Sequence, residues 1–357
     1  MTSQLPCIVV FSTGGTIASV RGDGGAAQPS LTGDDLLRAV PELGAVADMR
    51  AVRFRQVASP GLSLADMIAL AAEIGRATAE GASGAIVTQG TDTLEETAFA
   101  LSLLWGGEAP VVLTGAMRNA TLPGADGPAN LLNSALVAAS PIAQGLGALV
   151  VFNDEVHLPI FVRKTHTTNP ATFRSDITGP IGWIVENQVR IALRPAMRHH
   201  IGIDAGQEAI APVALVKVVL GDDGRLLEAI PALGYRGLVV EAMGGGHVPP
   251  ADVAPLARLA RDMPVVLTSR TGAGELLRNT YGFPGSEIDL LRRGLIHGGM
   301  LDGPKARILL SLLLTCGAEA GVIAEAFAAI GSPGSRPAFV WRAAAENVQS
   351  SVNTRDV

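Results

Sequence analysis

Cysteine is nearly absent from this chain of 357 residues: only Cys7 and Cys316 occur, far apart and each among apolar neighbours. A disulfide framework is thereby excluded, and each thiol reads as a small buried apolar group. No run of 18 apolar residues occurs, so no membrane-spanning helix is expected. The chain passes from Met1 into an apolar strand without a basic region or a long apolar core, which gives no secretory signal and points to the cytoplasm. Positive charge is also in deficit. There are 27 Lys and Arg against 33 Asp and Glu, a net charge of −6, with a pI of about 5.6. That balance argues against nucleic acid or an anionic membrane as partner. Tyrosine is confined to Tyr235 and Tyr281. The dinucleotide fingerprint, the P-loop and the G-x-S-x-G elbow are all missing. His199 and His200 have no third ligand at zinc-like spacing and read as linker histidines, so no metal is expected. No fixed-period repeat occurs.

What is present is the composition of a compact globular protein, 48% hydrophobic and 17% charged. The length exceeds one ordinary core, so two domains are expected. Short apolar runs at 7–11, 49–57, 85–87, 110–115 and 147–153 read as strands. They alternate with helical patterns at 34–40, from Ser63, from Thr93, and up to residue 139. Residues 182–192 read as a terminal hairpin. A second alternation follows: strands at 213–220, 237–243 and 264–269, with helices at 226–233, 249–262, 287–293, 305–315 and 318–330. Strand–helix alternation in both halves implies two parallel-sheet α/β domains. The boundaries are 1–193 for the N-terminal domain, 194–212 for a linker and 213–348 for a smaller C-terminal domain. A disordered tail is expected at 349–357.

Two strand ends carry the candidate chemistry. Gly84-Ala-Ile-Val-Thr-Gln-Gly-Thr-Asp-Thr-Leu-Glu-Glu-Thr97 places Thr91 and Asp92 between a buried strand and a helix. Thr93 with Glu96 has the spacing of a capping box, which predicts a helix beginning at Thr93. In open α/β sheets ligands bind in this crevice, and the helix N-terminus favours negative charge there. An ordinary Asp-Thr helix cap is the plainer alternative. The strand at 7–11 runs into Ser12-Thr13-Gly-Gly-Thr-Ile-Ala-Ser19, where glycines let backbone N–H groups approach a ligand closely. The stretch 21–27 that follows suits either a mobile lid or a surface loop. Asp126 and Asn130 can orient a turn or touch a ligand, and the structural role is the favoured one. Gly244-Gly-Gly-His247 also follows a strand end, so the C-terminal domain can present a site of its own.

Lys164 lies among Phe161, Val162 and several hydroxyls. A lysine partly removed from water loses some preference for charge and becomes a better proton acceptor. A threonine hydroxyl needs such a base before it can attack a carbonyl carbon. Backbone N–H groups around Gly14 and Thr91 supply a place for a developing oxyanion. The residues therefore point to acyl transfer or hydrolysis of a small carbonyl substrate.

Thr13-Gly-Gly-Thr-Ile17 and Thr88-Gln-Gly-Thr-Asp-Thr-Leu-Glu-Glu-Thr97 resemble the two signatures of the bacterial L-asparaginase (asparaginase/glutaminase) family. Ala116-Met-Arg118, Ala125-Asp-Gly-Pro128, Lys164 with Phe173-Arg-Ser175, and Lys305-Ala-Arg307 resemble its other segments, so the likeness covers nearly the whole chain. It implies a larger flavodoxin-like N-terminal domain, a smaller Rossmann-like C-terminal domain, and hydrolysis of L-asparagine to L-aspartate and ammonia, with L-glutamine as a secondary substrate. It implies that Thr13 is a lid-side nucleophile and that Thr91 faces it, activated by Lys164 beside Asp92. Asp92 would also bind the substrate α-amino group and Ser59 its α-carboxylate. No metal or organic cofactor is implied. A homotetramer built from dimers is implied, a partner's small domain completing each site, with Glu287 as the acidic contact to the substrate amine.

Two departures stand out. Many family members carry a lid tyrosine after the first threonine, whereas 12–36 contains none and Gln28 lies near the expected place. Loss of a general acid or base costs about two orders of magnitude at the lower end, and Tyr281 is the available substitute. Pro60 follows Ser59 where a glutamine is common, which bears on the choice between asparagine and glutamine. Two alternatives stay open: a catalytically weak homologue that binds an amino acid as a sensor, and an amidohydrolase for a different small amide. Retention of Thr13, Thr91, Asp92 and Lys164 weighs against the sensor, because a pure binder has no need of the lysine.

Overall fold

Strands covered on both faces must be apolar along their whole length, and four segments near the N-terminal half meet that condition. In the computed structural model, which describes residues 5–15, 17, 19–21, 27–29, 33–334 and 336–342, they form the centre of an eight-stranded sheet. Its strands are β1 (Cys7–Ser12), β2 (Asp48–Arg53), β3 (Gly84–Thr88), β4 (Val111–Thr114), β5 (Ala148–Phe152), β6 (Glu155–His157), β7 (Gly182–Val185) and β8 (Gln188–Ile191). The lateral order is β2-β1-β3-β4-β5-β6-β7-β8. The first five are parallel. The last three add antiparallel, including the hairpin expected near 182–192. The order 2-1-3-4-5 is that of a flavodoxin-like sheet, whose switch point falls between β1 and β3. The stretch 22–26 and the tail 349–357 lie outside the described residues.

The smaller sheet is wholly parallel, β9 (Val213–Lys217), β10 (Gly237–Ala242), β11 (Val265–Ser269) and β12 (Ile296–His297), in that order. Helices α1 (Leu64–Ala79), α2 (Leu94–Leu104) and α3 (Gly127–Ala139) belong to the first half; α4 (Pro250–Asp262), α5 (Gly303–Thr315) and α6 (Ala320–Ile330) belong to the second. One apolar cluster joins the halves: Met67, Phe99 and Leu103 from α1 and α2 pack with Leu309, Leu313 and Phe327 from α5 and α6. A buried side chain of this size contributes about 2–3 kcal/mol relative to exposure. Phe99→Ala would therefore loosen the contact on which the two sheets depend.

Helix starts follow local chemistry in one case and not in another. At α1 the capping box forms as the sequence indicates, with Ser63 Oγ accepting from Asp66 N at 3.2 Å and Asp66 Oδ2 from Ser63 N at 3.0 Å. At α2 the boundary is as expected, but the Thr93–Glu96 box does not form. Thr93 Oγ1 instead donates to Ser59 O and accepts from Gln89 Nε2, both at 3.1 Å. Tertiary partners displace the local one because a 3₁₀ turn, Thr91–Thr93, precedes the helix.

The expected linker is partly structured. His200–Gly202 pairs in parallel with Val340–Arg342. His199 Nδ1 accepts from Phe339 N at 3.0 Å, and His200 Nδ1 lies 3.1 Å from Leu103 O. Burial pushes both imidazoles below their usual pKa. Their rings serve the packing of this ribbon.

Candidate active site

The chain delivers its two threonine motifs to adjacent strand ends at the switch point. Thr13 follows β1, is fully buried, and directs both N–H and hydroxyl at one carbonyl of β3, Thr88 O, at 3.0 and 3.1 Å. Gly15 lies directly on the backbone of the second motif. A Cβ there would stand 2.1 Å from Gly90 N, and its φ of +89° belongs to the region glycine alone enters freely. Ser59 reaches the same place as the first residue of a 3₁₀ turn, Ser59–Gly61, with Pro60 second. Ser59 is 3% exposed, a Cβ on Gly90 would stand 3.0 Å from its hydroxyl, and its carbonyl is held by Thr93.

Thr91 and Asp92 form the turn between β3 and α2, at the positive end of that helix. Lys164 reaches them from a distant segment. Its Nζ stands 2.8 Å from Thr91 Oγ1 and 2.6 Å from Asp92 Oδ1. The lysine side chain is 15% exposed and that of Asp92 67%. One carboxylate oxygen of Asp92 thus orients the lysine, and the other faces solvent, where a cationic group can approach. An amine and a hydroxyl at 2.8 Å are in range for proton transfer. With Nζ deprotonated, the hydroxyl donates into it.

A hollow of about 550 Å³ opens here, lined by Asp92, Glu95, Lys164, Thr165, His166 and Thr167. Burial raises the carboxyl pKa of Glu95, against the opposing charge of Lys305 and the bond from Lys164 N–H. Glu96 is likewise raised by burial, with Asp302 adding to the effect. In the loop after β4, Asp126 accepts from Met117 N and Arg118 N at 2.9 and 2.8 Å. Asn130 bonds Gly115 O and Asn153 N, each at 3.0 Å. Both residues therefore orient turns, as the sequence indicated.

Thr13, Ser59, Thr91, Asp92 and Lys164 are thus joined through one set of loops, whereas Glu287 and Tyr281 lie elsewhere. Glu287 is fully buried in the C-terminal half. It accepts from Thr280 N at 2.8 Å and Tyr281 N at 2.7 Å, and lies 3.2 Å from His247 Nε2. Burial alone would raise its pKa, but these bonds hold it below the usual value. A carboxylate so enclosed braces its own loop and has no exposed oxygen for a substrate amine. Tyr281 packs edge-on to His247 with ring centroids 5.0 Å apart and is not among the residues lining the hollow. The side chain of Gln28 lies outside the described residues.

Glu95 and Lys305 lie within the family-like segments but carry no role that the sequence assigns. Lys305 is 2% exposed, and its Nζ donates to Val162 O at 2.8 Å and Ile160 O at 3.3 Å, with Asp302 Oδ2 at 3.5 Å. A usable signal existed: the chain has only three lysines, Lys164, Lys217 and Lys305, and the last opens an apolar helix.

Known proteins resemble this chain over most of its length. The family profile for the N-terminal domain of asparaginases matches residues 7–197. The profile for the glutaminase/asparaginase C-terminal domain matches residues 212–327. A probable periplasmic L-asparaginase of Haemophilus influenzae is 36% identical over 334 residues, 91% of this chain and 93% of that one. A probable L-asparaginase of Deinococcus radiodurans is 37% identical over 337 residues, 92% of this chain and 98% of that one. The crystal structure of a probable cytoplasmic L-asparaginase from Campylobacter jejuni superposes with a TM-score of 0.82 at 30% identity, covering 90% of this chain and 99% of that one.

Proposed function

The chain belongs to the asparaginase family, and on that premise we propose that it is an amidohydrolase converting L-asparagine to L-aspartate and ammonia. The observation that carries this reading is the placement of Lys164 Nζ between Thr91 Oγ1 and Asp92 Oδ1. The free side of the Asp92 carboxylate holds the substrate α-ammonium, and Ser59 holds the α-carboxylate. A threonine hydroxyl, Thr13 or Thr91, adds to the side-chain amide carbon, and its proton passes to Lys164, directly in the case of Thr91. The oxyanion is met by backbone N–H groups around Gly14 and Thr91. Collapse expels ammonia with the proton returned by the lysine. Water then cleaves the ester, giving aspartate and restoring the hydroxyl. Each charge and proton has a protein group to take it, so no metal or organic cofactor is called for.

L-Glutamine is the secondary substrate in this reading, with Pro60 beside Ser59 shaping the preference. The hollow around Asp92 is open on one side, which supports a homotetramer of dimers in which a partner's small domain completes each site. Cytoplasmic placement is supported by the two free cysteines and by the name of the Campylobacter neighbour; the Haemophilus relative is named for the periplasm. The test is ammonia release from L-asparagine, L-glutamine and a panel of other small amides. Highest kcat/KM on asparagine supports the reading. Binding of aspartate without turnover of any amide would replace it with an amino-acid sensor.

A further inference from the structure

Lysine is a compact charge on a flexible four-carbon stem, so a site that uses Nζ at a fixed point must first fix the backbone that carries it. The strand that carries Lys164 is only two residues long, Arg163–Lys164, paired with Phe173–Arg174. Sheet bonding supplies little there. Two side chains from outside the ribbon hold it, and one of its own reaches out. Lys305 takes the carbonyls of Ile160 and Val162. Arg163 is itself tied to Gly272 O at 2.6 Å. The N–H of Lys164 is taken by the carboxylate of Glu95.

Glu95 stands in the first turn of α2, immediately after the turn that presents Thr91 and Asp92. The short segment 91–95 therefore grips Lys164 at both ends, Nζ through Thr91 and Asp92 and the backbone through Glu95. We infer that Glu95 is a positioning residue for the reaction, setting where the Lys164 amine stands relative to Thr91. The inference rests on the amidohydrolase reading, in which Lys164 is the base. Glu95 need not touch substrate: its acceptor oxygen fixes the origin from which the lysine stem extends. Its surroundings suit a fixed role: the setting is water-poor, and the charges of Lys305 and Arg163 offset part of the burial while Asp302 opposes them.

The test combines kinetics with a spectrum that needs no activity. With only three lysines in the chain, ¹⁵N-lysine labelling of the full-length protein gives three backbone amide signals, and Lys164→Arg identifies that of Lys164. The expected result is a Lys164 amide shifted downfield by the carboxylate, moving upfield in Glu95→Ala while the other two stay in place. In the same variant kcat falls about 100-fold, the scale of a misplaced catalytic group, with KM nearly unchanged. Glu95→Gln keeps an acceptor oxygen and restores most of kcat. A Glu95→Ala protein with wild-type kcat, an unmoved Lys164 amide, or a Glu95→Gln variant as impaired as the alanine would overturn the inference. Absence of amidase activity in the wild type would reject the functional reading instead, and the amide signals would still report whether Glu95 holds Lys164.

Discussion

Lys164 Nζ and Thr91 Oγ1 meet at 2.8 Å although 73 positions separate them in the chain. Neither residue is unusual where it stands in the sequence. The parallel sheet brings the end of β3 beside the Arg163–Lys164 ribbon, and the pairing sets an amine against a hydroxyl.

Lys164→Met should therefore remove about 10²- to 10⁴-fold of kcat, the range for a positioned acid–base group, while thermal stability stays near wild type. The amine is partly exposed and methionine fits the space of the stem. Steady-state kinetics beside a melting curve make the check. A variant within threefold of wild type would mean that another group is the base.

Ser59→Ala should act on binding. Its hydroxyl is buried beside Gly90, and a hydrogen bond to a charged carboxylate is worth about 1.5–3 kcal/mol. KM for asparagine should rise about tenfold or more, with kcat changed far less. An unchanged KM would remove Ser59 from the carboxylate site.

Gly15→Ala tests the contact between the two threonine loops. The new Cβ would stand 2.1 Å from Gly90 N at a φ of +89°, so the loops must separate. Strain and overpacking together should cost about 3 kcal/mol or more. Urea unfolding measures this, and a loss below about 1 kcal/mol would show that the loops can part freely.

His157, which does not line the hollow at Asp92, gives a pH signature of its own. Its ring is 1% exposed and bonded to Ser175 Oγ at 3.0 Å, and burial lowers its pKa from 6.5 to about 4. The half-exposed Glu155 carboxylate, 3.3 Å from Nε2, pulls the other way but is the weaker influence. Because the folded value lies below the unfolded one, the stabilisation is complete above pH 6.5 and is lost as pH falls towards 4. At about 1.4 kcal/mol per unit, the loss is about 3 kcal/mol. His157→Gln should flatten that slope relative to wild type in denaturant titrations at successive pH values. Parallel slopes would place the titration elsewhere.

What the sequence made legible was mostly local. The apolar runs at 7–11 and 85–87 are the buried centres of β1 and β3, and Ser63 with Asp66 does form its box. The second threonine motif also lies where strand–turn–helix chemistry puts it. Partners set by the fold were not legible. Thr93 has box spacing with Glu96, yet its hydroxyl bonds Ser59, 34 positions away. Lys305 serves Val162 across 143 positions, and Glu95 serves Lys164 across 69. Glu287 has the type and place of an acidic ligand, but its oxygens are taken by the loop it supports. Two-residue strands such as Ile296–His297 are too short to carry a periodic signal.

The most direct measurement is ammonia release from L-asparagine by the purified wild-type protein, with Thr13→Ala and Thr91→Val assayed beside it. The expected result is turnover by the wild type that both variants lose while keeping the wild-type melting temperature. A wild type that releases no ammonia, or threonine variants that release it at the wild-type rate, would contradict hydrolysis by the threonine pair.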